Sequence, residues 1–183
     1  MRCAVDVSPI RADPRDGAEQ VTQALRGEPL VADGEADGFL HVVTAYGYPG
    51  WIAADAVEDG EGTLPGECAG VPVDEARLYL GSPYEWGGLT AAGIDCSGLV
   101  HMAYRRLGRL VPRDACQQEE AGEEAGDPQP GDLVTYGVAQ ADHVAFWLGD
   151  CRILHATARE GLGVVEEPEP AELRARRRRM VRL

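Results

Sequence analysis

At roughly 100–200 residues per domain, a chain of 183 residues holds one domain or two small ones. Its composition, 44% hydrophobic and 26% charged, is too apolar for disorder, and 17 basic against 31 acidic residues give a net charge of -14 that repels the phosphate backbone of nucleic acid. No stretch reaches the ~20 apolar residues of a membrane-spanning helix, and Asp6 and Pro9 interrupt the place where a secretory leader would be apolar. We therefore expect no nucleic-acid partner, no membrane and a cytoplasmic location.

In residues 1–63, short strand-like runs (Glu28 to Ala32, Phe39 to Ala45, Gly50 to Ala53) alternate with turns such as Asp33-Gly34 and Tyr46-Gly47-Tyr48-Pro49-Gly50, the pattern of a small β-barrel. Residues 64–72, Leu64-Pro65-Gly66-Glu67-Cys68-Ala69-Gly70-Val71-Pro72, are rich in helix breakers and read as a linker. Residues 73–183 then form a second domain. Val73 to Leu80 predicts a short helix stopped at Gly81-Ser82-Pro83. Asp95 stands at an N-cap position, with Leu99, Val100, Ala103, Tyr104 and Leu107 at helical spacing up to Gly108. An acidic stretch with Glu119, Glu120, Glu123, Glu124 and Asp127 reads as a solvated, mobile loop. Three strands follow, Leu133 to Tyr136, His143 to Leu148 and Arg152 to Ala156, and the run Arg176-Arg177-Arg178-Arg179 reads as a basic tail against the chain's own acidic surface. Helix first and antiparallel strands after points to an α+β fold.

The five cysteines (Cys3, Cys68, Cys96, Cys116, Cys151) are odd in number and contain no CxxC pair, so neither a disulfide framework nor a zinc knuckle is expected. Cys96 differs from the rest. In the first turn of a helix its thiol meets unpaired backbone N–H groups and the positive end of the helix dipole, which favour thiolate and could also hold an oxyanion. The bland alternative is a small buried residue packing the helix. A cysteine nucleophile needs a base, and the base an orienting group. Among the histidines, His41 reads as a structural residue of a barrel strand and His101 as exposed, outside the apolar stripe of its helix. His143 and His155 remain, at the start of one strand and the end of the next.

Hairpin parity decides whether those two imidazoles meet. A two-residue loop at Gly149-Asp150 puts them on opposite faces and a three-residue loop on the same face, and we expect the odd loop. Cys3 is expected to be exposed, Cys116 to lie in a loop and Trp86 in the core. Cys96, His143 and His155 are also ligand types that suit zinc, but a catalytic thiol explains the helix-start placement and zinc does not. No metal and no Gly-rich phosphate loop is therefore expected.

The segments Tyr84-Glu85-Trp86-Gly87-Gly88, Asp95-Cys96-Ser97-Gly98-Leu99-Val100, Pro112-Arg113-Asp114, Pro130-Gly131-Asp132-Leu133, His143-Val144-Ala145-Phe146 and Ile153-Leu154-His155-Ala156, in that order, closely resemble the NlpC/p60 family of papain-like cysteine peptidases. The region around Gly50-Trp51-Ile52 resembles the bacterial SH3-like domain that often precedes that catalytic domain. The resemblance implies a papain-like fold and hydrolysis, without a cofactor, of cell-wall (murein) stem peptides at the bond between γ-D-glutamate and a diamino acid. It also implies Cys96 as nucleophile, His143 as base, His155 as its orienting residue, and Tyr84, Asp95 and Ser97 as substrate-binding residues. Family members often carry a serine shortly after the Arg-Asp pair, where this chain has Ala115-Cys116-Gln117. With a cytoplasmic location, the expected role is recycling of fragments with a free N-terminal L-Ala. Rival readings are a secreted wall hydrolase, a non-catalytic wall-fragment binding protein and a papain-like acyltransferase. Asp95 has a further expected division of labour, with one oxygen capping the helix and the other facing the cleft.

Overall fold

Two stretches of alternating apolar and polar residues, on either side of a Pro- and Gly-rich seam, organise the chain. The structure is a computed structural model that describes all residues, 1–183. It divides into two compact units, Met1–Gly66 and Glu67–Leu183. No helix is long and apolar enough to cross a membrane.

The first unit is built from strands β1 (Arg2–Cys3), β2 (Val7–Arg11), β3 (Gln20–Leu25), β4 (Leu30–Ala36), β5 (Phe39–Thr44), β6 (Pro49–Ala53) and β7 (Val57–Glu58). Five of them form an antiparallel sheet in the order β3-β2-β6-β5-β4, while β1 pairs with β7. Alternate residues of these strands, Ile10, Ala24, Leu30, Val42 and Ile52, meet in one core. Cys3 joins that core at 1% exposure, against the expectation of an exposed thiol, because β1 is paired on both sides of it. Strand β2 escapes a pattern search because Pro9 sits within it. A missing N–H is tolerated there since β2 meets β6 only at Arg11–Trp51. Asp33-Gly34 is no turn but a bulge inside β4, and the β4–β5 turn falls at Asp37-Gly38, both with positive φ.

In the second unit, α1 (Pro72–Arg77) precedes the short hairpin β8 (Leu89–Thr90) and β9 (Gly93–Ile94), α2 (Cys96–Arg105), α3 (Ala115–Ala121) and β10 (Glu123–Glu124). Next come β11 (Leu133–Tyr136), β12 (His143–Gly149), β13 (Arg152–Thr157), β14 (Gly163–Pro168), α4 (Ala171–Arg174) and β15 (Arg177–Arg182). The six strands make one sheet in the order β10-β15-β11-β12-β13-β14. Helix α2 packs against β12 and β13. Val134, Tyr136, Ala145 and Ile153 are buried on one face, and Leu133, Phe146 and Leu154, of the other parity, are buried as well.

The arginine run pairs with the chain's own acidic residues as expected, but neither it nor the acidic stretch has the expected form. The arginine run is a strand, with Val181 fully buried, and the acidic stretch is not a mobile loop but the end of α3 and strand β10, paired with β15. Opposite charges fasten the two. Arg178 and Thr135 both donate to buried Glu119, Arg179 donates to Glu124, Arg182 holds Asp132 through two bonds, and Arg174 and Arg177 converge on fully buried Glu169. Cys116 likewise lies in the first turn of α3 rather than in a loop.

Burial pushes the pKa values of Glu119, Asp132 and Glu169 upward, but the arginine hydrogen bonds outweigh it and hold all three below the usual carboxylate range. Their stabilisation is therefore complete above the unfolded-state value of about 4 and is lost as pH falls through the depressed folded values. Urea denaturation is expected to give a lower midpoint at pH 3 than at pH 7, and Glu169→Gln to shrink that difference; an unchanged difference would contradict this assignment.

Candidate active site

Gly98 lets the start of α2 approach the preceding loop. A Cβ there would stand 2.4 Å from the Gly88 carbonyl oxygen. Asp95, the N-cap, accepts from the Gly98 N–H at 2.6 Å and from Ser97 Oγ at 3.3 Å through Oδ1, and from the Gly87 N–H at 2.8 Å through Oδ2. Fully buried Arg113 grips both oxygens, at 2.9 and 2.7 Å, and also donates to Ser97 Oγ at 3.0 Å. Both Asp95 oxygens are thus engaged inside the protein, so the expected split between cap and cleft is not what forms. Asp95 and Ser97 together hold the loop that carries Cys96.

Cys96 is the first residue of α2 and 7% exposed. Burial and the Asp95 charge push its thiol up to about 12, against the lowering pull of the Val144 and Ser97 N–H groups and Arg113. The helix end therefore favours the thiolate, as the sequence suggests, but desolvation is larger. The Val144 N–H brings the sulfur to the start of β12, one residue from His143.

His143 Nε2 and His155 Nδ1 are 2.8 Å apart. They share a face of the sheet, as the parity argument requires, by a different route. The turn is two residues, Asp150-Cys151, both with positive φ, and a bulge at Leu148 restores the parity that such a turn would lose. Behind them stands Glu167 of β14, whose Oε1 lies 2.9 Å from His155 Nε2, and Arg159 binds both oxygens of that carboxylate.

This chain has a direction. Burial pushes Glu167 up, but His155 and Arg159 hold it below its usual range, so near neutral pH it accepts only. His155 Nε2 then carries a proton and donates. Burial lowers the His155 pKa despite Glu167, leaving the ring neutral with a lone pair on Nδ1. That lone pair takes the His143 Nε2–H. Burial, His155 and Arg176 push His143 down to about 3, so it is neutral and its remaining lone pair is on Nδ1. The resting site is a neutral thiol and a neutral base.

Tyr84 bridges Ile94 beside the nucleophile loop, and burial, with the Cys96 and Asp95 charges, raises its pKa and keeps it a phenol. Trp86 is 60% exposed and not a core residue. His101 is fully buried where exposure was expected: its Nδ1 donates to the Val111 carbonyl at 2.8 Å, and burial and Arg113 lower it to about 3. His41 pairs with Asp33 on the other unit's surface. Sequence reasoning missed Glu167, Arg159 and Gln118, which donates to the Ser97 and Pro112 carbonyls. Only the β13–β14 register, with His155 opposite Val165, marks Glu167 as a neighbour of His155.

Replacing Glu167 with Leu removes the acceptor that fixes both tautomers. Alkylation of Cys96 by iodoacetamide at pH 7 is expected to slow about tenfold, while Glu167→Gln, whose amide oxygen still accepts, loses less. The rate must be read at Cys96 by peptide mass spectrometry, since Cys68 and Cys151 are exposed; equal rates in wild type and Glu167→Leu would contradict the relay.

Comparison with known proteins places this geometry. The model of the NlpC/P60 family matches residues 81–174, and that of the bacterial dipeptidyl-peptidase SH3 domain matches residues 10–57. Over 134 residues the chain is 31% identical to a gamma-D-glutamyl-L-lysine dipeptidyl-peptidase of Bacillus subtilis, covering 70% of this chain and 44% of that protein. A Bacillus cereus protein of the same name is 32% identical over 53% of this chain and 31% of its own length. The chain thus spans less than half the length of these relatives. The solved peptidoglycan hydrolase RipB of Mycobacterium tuberculosis superposes with a TM-score of 0.54 at 31% identity, over 61% of this chain and 62% of that one. RipD of the same organism, described as a non-catalytic NlpC/p60 domain protein adapted to peptidoglycan binding, gives 0.52 at 25% identity, over 62% of this chain and 95% of that one.

Proposed function

This chain belongs to the NlpC/P60 family, and on that premise we propose that it is a cysteine peptidase that hydrolyses the γ-D-glutamyl–diamino acid bond of murein stem peptides beginning with a free L-alanine. The observation that carries the reading is the thiol at the start of α2, bonded by the N–H of Val144 next to His143, together with the aligned His143–His155–Glu167 relay. A site built only to bind has no use for a base whose lone pair is fixed in this way. That separates the reading from a non-catalytic binding role of the kind RipD is described as having. The names of the Bacillus relatives support the substrate class and the preference for a free amine, since a dipeptidyl-peptidase counts two residues from an unblocked N-terminus. Such a substrate is a released fragment, and we place the activity in cytoplasmic recycling.

Each step uses groups already described. As the γ-carbonyl carbon approaches, the Cys96 proton passes to His143 Nδ1 and the sulfur attacks, giving a tetrahedral oxyanion at the N–H groups of the helix start. The new imidazolium keeps its Nε2–H on His155, with the Glu167 charge behind it. His143 then returns the proton to the leaving amine, the C–N bond breaks and a thioester remains. Water, deprotonated by the same Nδ1, hydrolyses the thioester and restores the thiol. An acyltransferase would differ only in replacing that water by an amine or hydroxyl.

Incubation with L-Ala-γ-D-Glu-diaminopimelate is expected to release L-Ala-γ-D-Glu, with N-acetylation of the alanine reducing kcat/KM at least about 100-fold and Cys96→Ala abolishing turnover. Equal cleavage of the acetylated peptide would favour a general wall hydrolase, in line with the peptidoglycan endopeptidase name of RipB.

A further inference from the structure

A cavity of about 390 Å³ opens beside the base, lined by Asp142, His143, Thr157, Arg159, Glu172 and Arg176. His143 itself forms part of its wall, while Cys96 does not. In the proposed reaction the leaving nitrogen receives its proton from His143, so the residue that leaves must lie against that ring. The cavity is open space against that ring.

Its walls are charged. Arg176 spends one Nη on Asp142 and keeps 39% of its side chain exposed, while Arg159 is committed to Glu167 and reaches Glu172 only at 3.4 Å. The two arginines thus differ: Arg159 backs the relay, and Arg176 has donors left over. We propose that this cavity binds the leaving diamino acid and that Arg176 takes a free carboxylate on it, an inference that rests on the endopeptidase reading above. Two carboxylates fit the chemistry. One is the α-carboxylate of a peptide that ends at the diamino acid; the other is the distal carboxylate of diaminopimelate, which lysine lacks.

Binding here feeds into the chemistry. The Arg176 charge opposes protonation of His143, and that protonation is part of the attack step. A substrate carboxylate seated on Arg176 cancels the opposition, so the preference falls partly on kcat rather than on KM alone.

Four peptides beginning L-Ala-γ-D-Glu separate the sources: L-Lys and meso-diaminopimelate at the third position, each with its α-carboxyl free or amidated. Wild type is expected to cut carboxylate-bearing peptides with kcat/KM about tenfold above fully amidated L-Lys peptide. The arm that carries the preference identifies the carboxylate. Arg176→Gln should bring all four within about twofold of one another, by slowing the favoured ones and speeding the fully amidated L-Lys peptide, and Arg176→Lys should retain part of the preference. Equal cleavage of the four peptides by wild type, or a uniform slowing of all four in Arg176→Gln, would overturn the assignment of the cavity while leaving the endopeptidase reading intact. Failure of wild type to cut any of them would overturn that reading and the cavity's role with it.

Discussion

A single buried carboxylate sets where the Cys96 thiol stands. Asp95 receives donors from Gly87, Ser97, Gly98 and, twice, Arg113, and these partners belong to three segments: the loop before the nucleophile, the first turn of α2 and the stretch leading into α3. Removing one member of a buried ion pair leaves the other uncompensated, at about 3–5 kcal/mol. The pair therefore locks the geometry more than it adds net stability. The position of the Cys96 sulfur, and the donors available to an oxyanion, follow from that lock.

The other half of the site is aimed rather than held. The sheet places His143 on β12, His155 on β13 and Glu167 on β14, so the relay crosses three neighbouring strands in sheet order. Each link settles the tautomer of the next, beginning with a carboxylate that arginine keeps ionised. Burial opposes charge on both Cys96 and His143. In the proposed reaction the ion pair is therefore made when substrate arrives, with Glu167 ready to stabilise it through His155 and Arg176 set against it until its charge is met.

What the sequence reveals follows from what is local. Asp95 as N-cap, Cys96 in the first turn and the three strands from Leu133 onward are legible because capping and alternation act over a few residues. The shared face of His143 and His155 is legible through parity, yet its cause, a bulge at Leu148, is not, since a bulge carries no compositional mark. Glu167 depends on the register across the β13–β14 hairpin, which its loop alone does not fix, and Arg113 on a contact 18 residues away. His101 breaks the apolar pattern of α2 while being buried, with its Nδ1 held by a backbone carbonyl ten residues away that no local pattern reveals. The arginine run hides a strand because its partners, Glu119, Asp132 and Glu169, are scattered along the chain.

Glu167 fixes both imidazoles so that the lone pair on His143 is on Nδ1. Long-range ¹⁵N–¹H correlation spectra of the histidine side chains at pH 7 test it most directly. His143 and His155 are expected to be both neutral with the proton on Nε2; a proton on Nδ1 of either ring, or a resting imidazolium at His143, would overturn the relay.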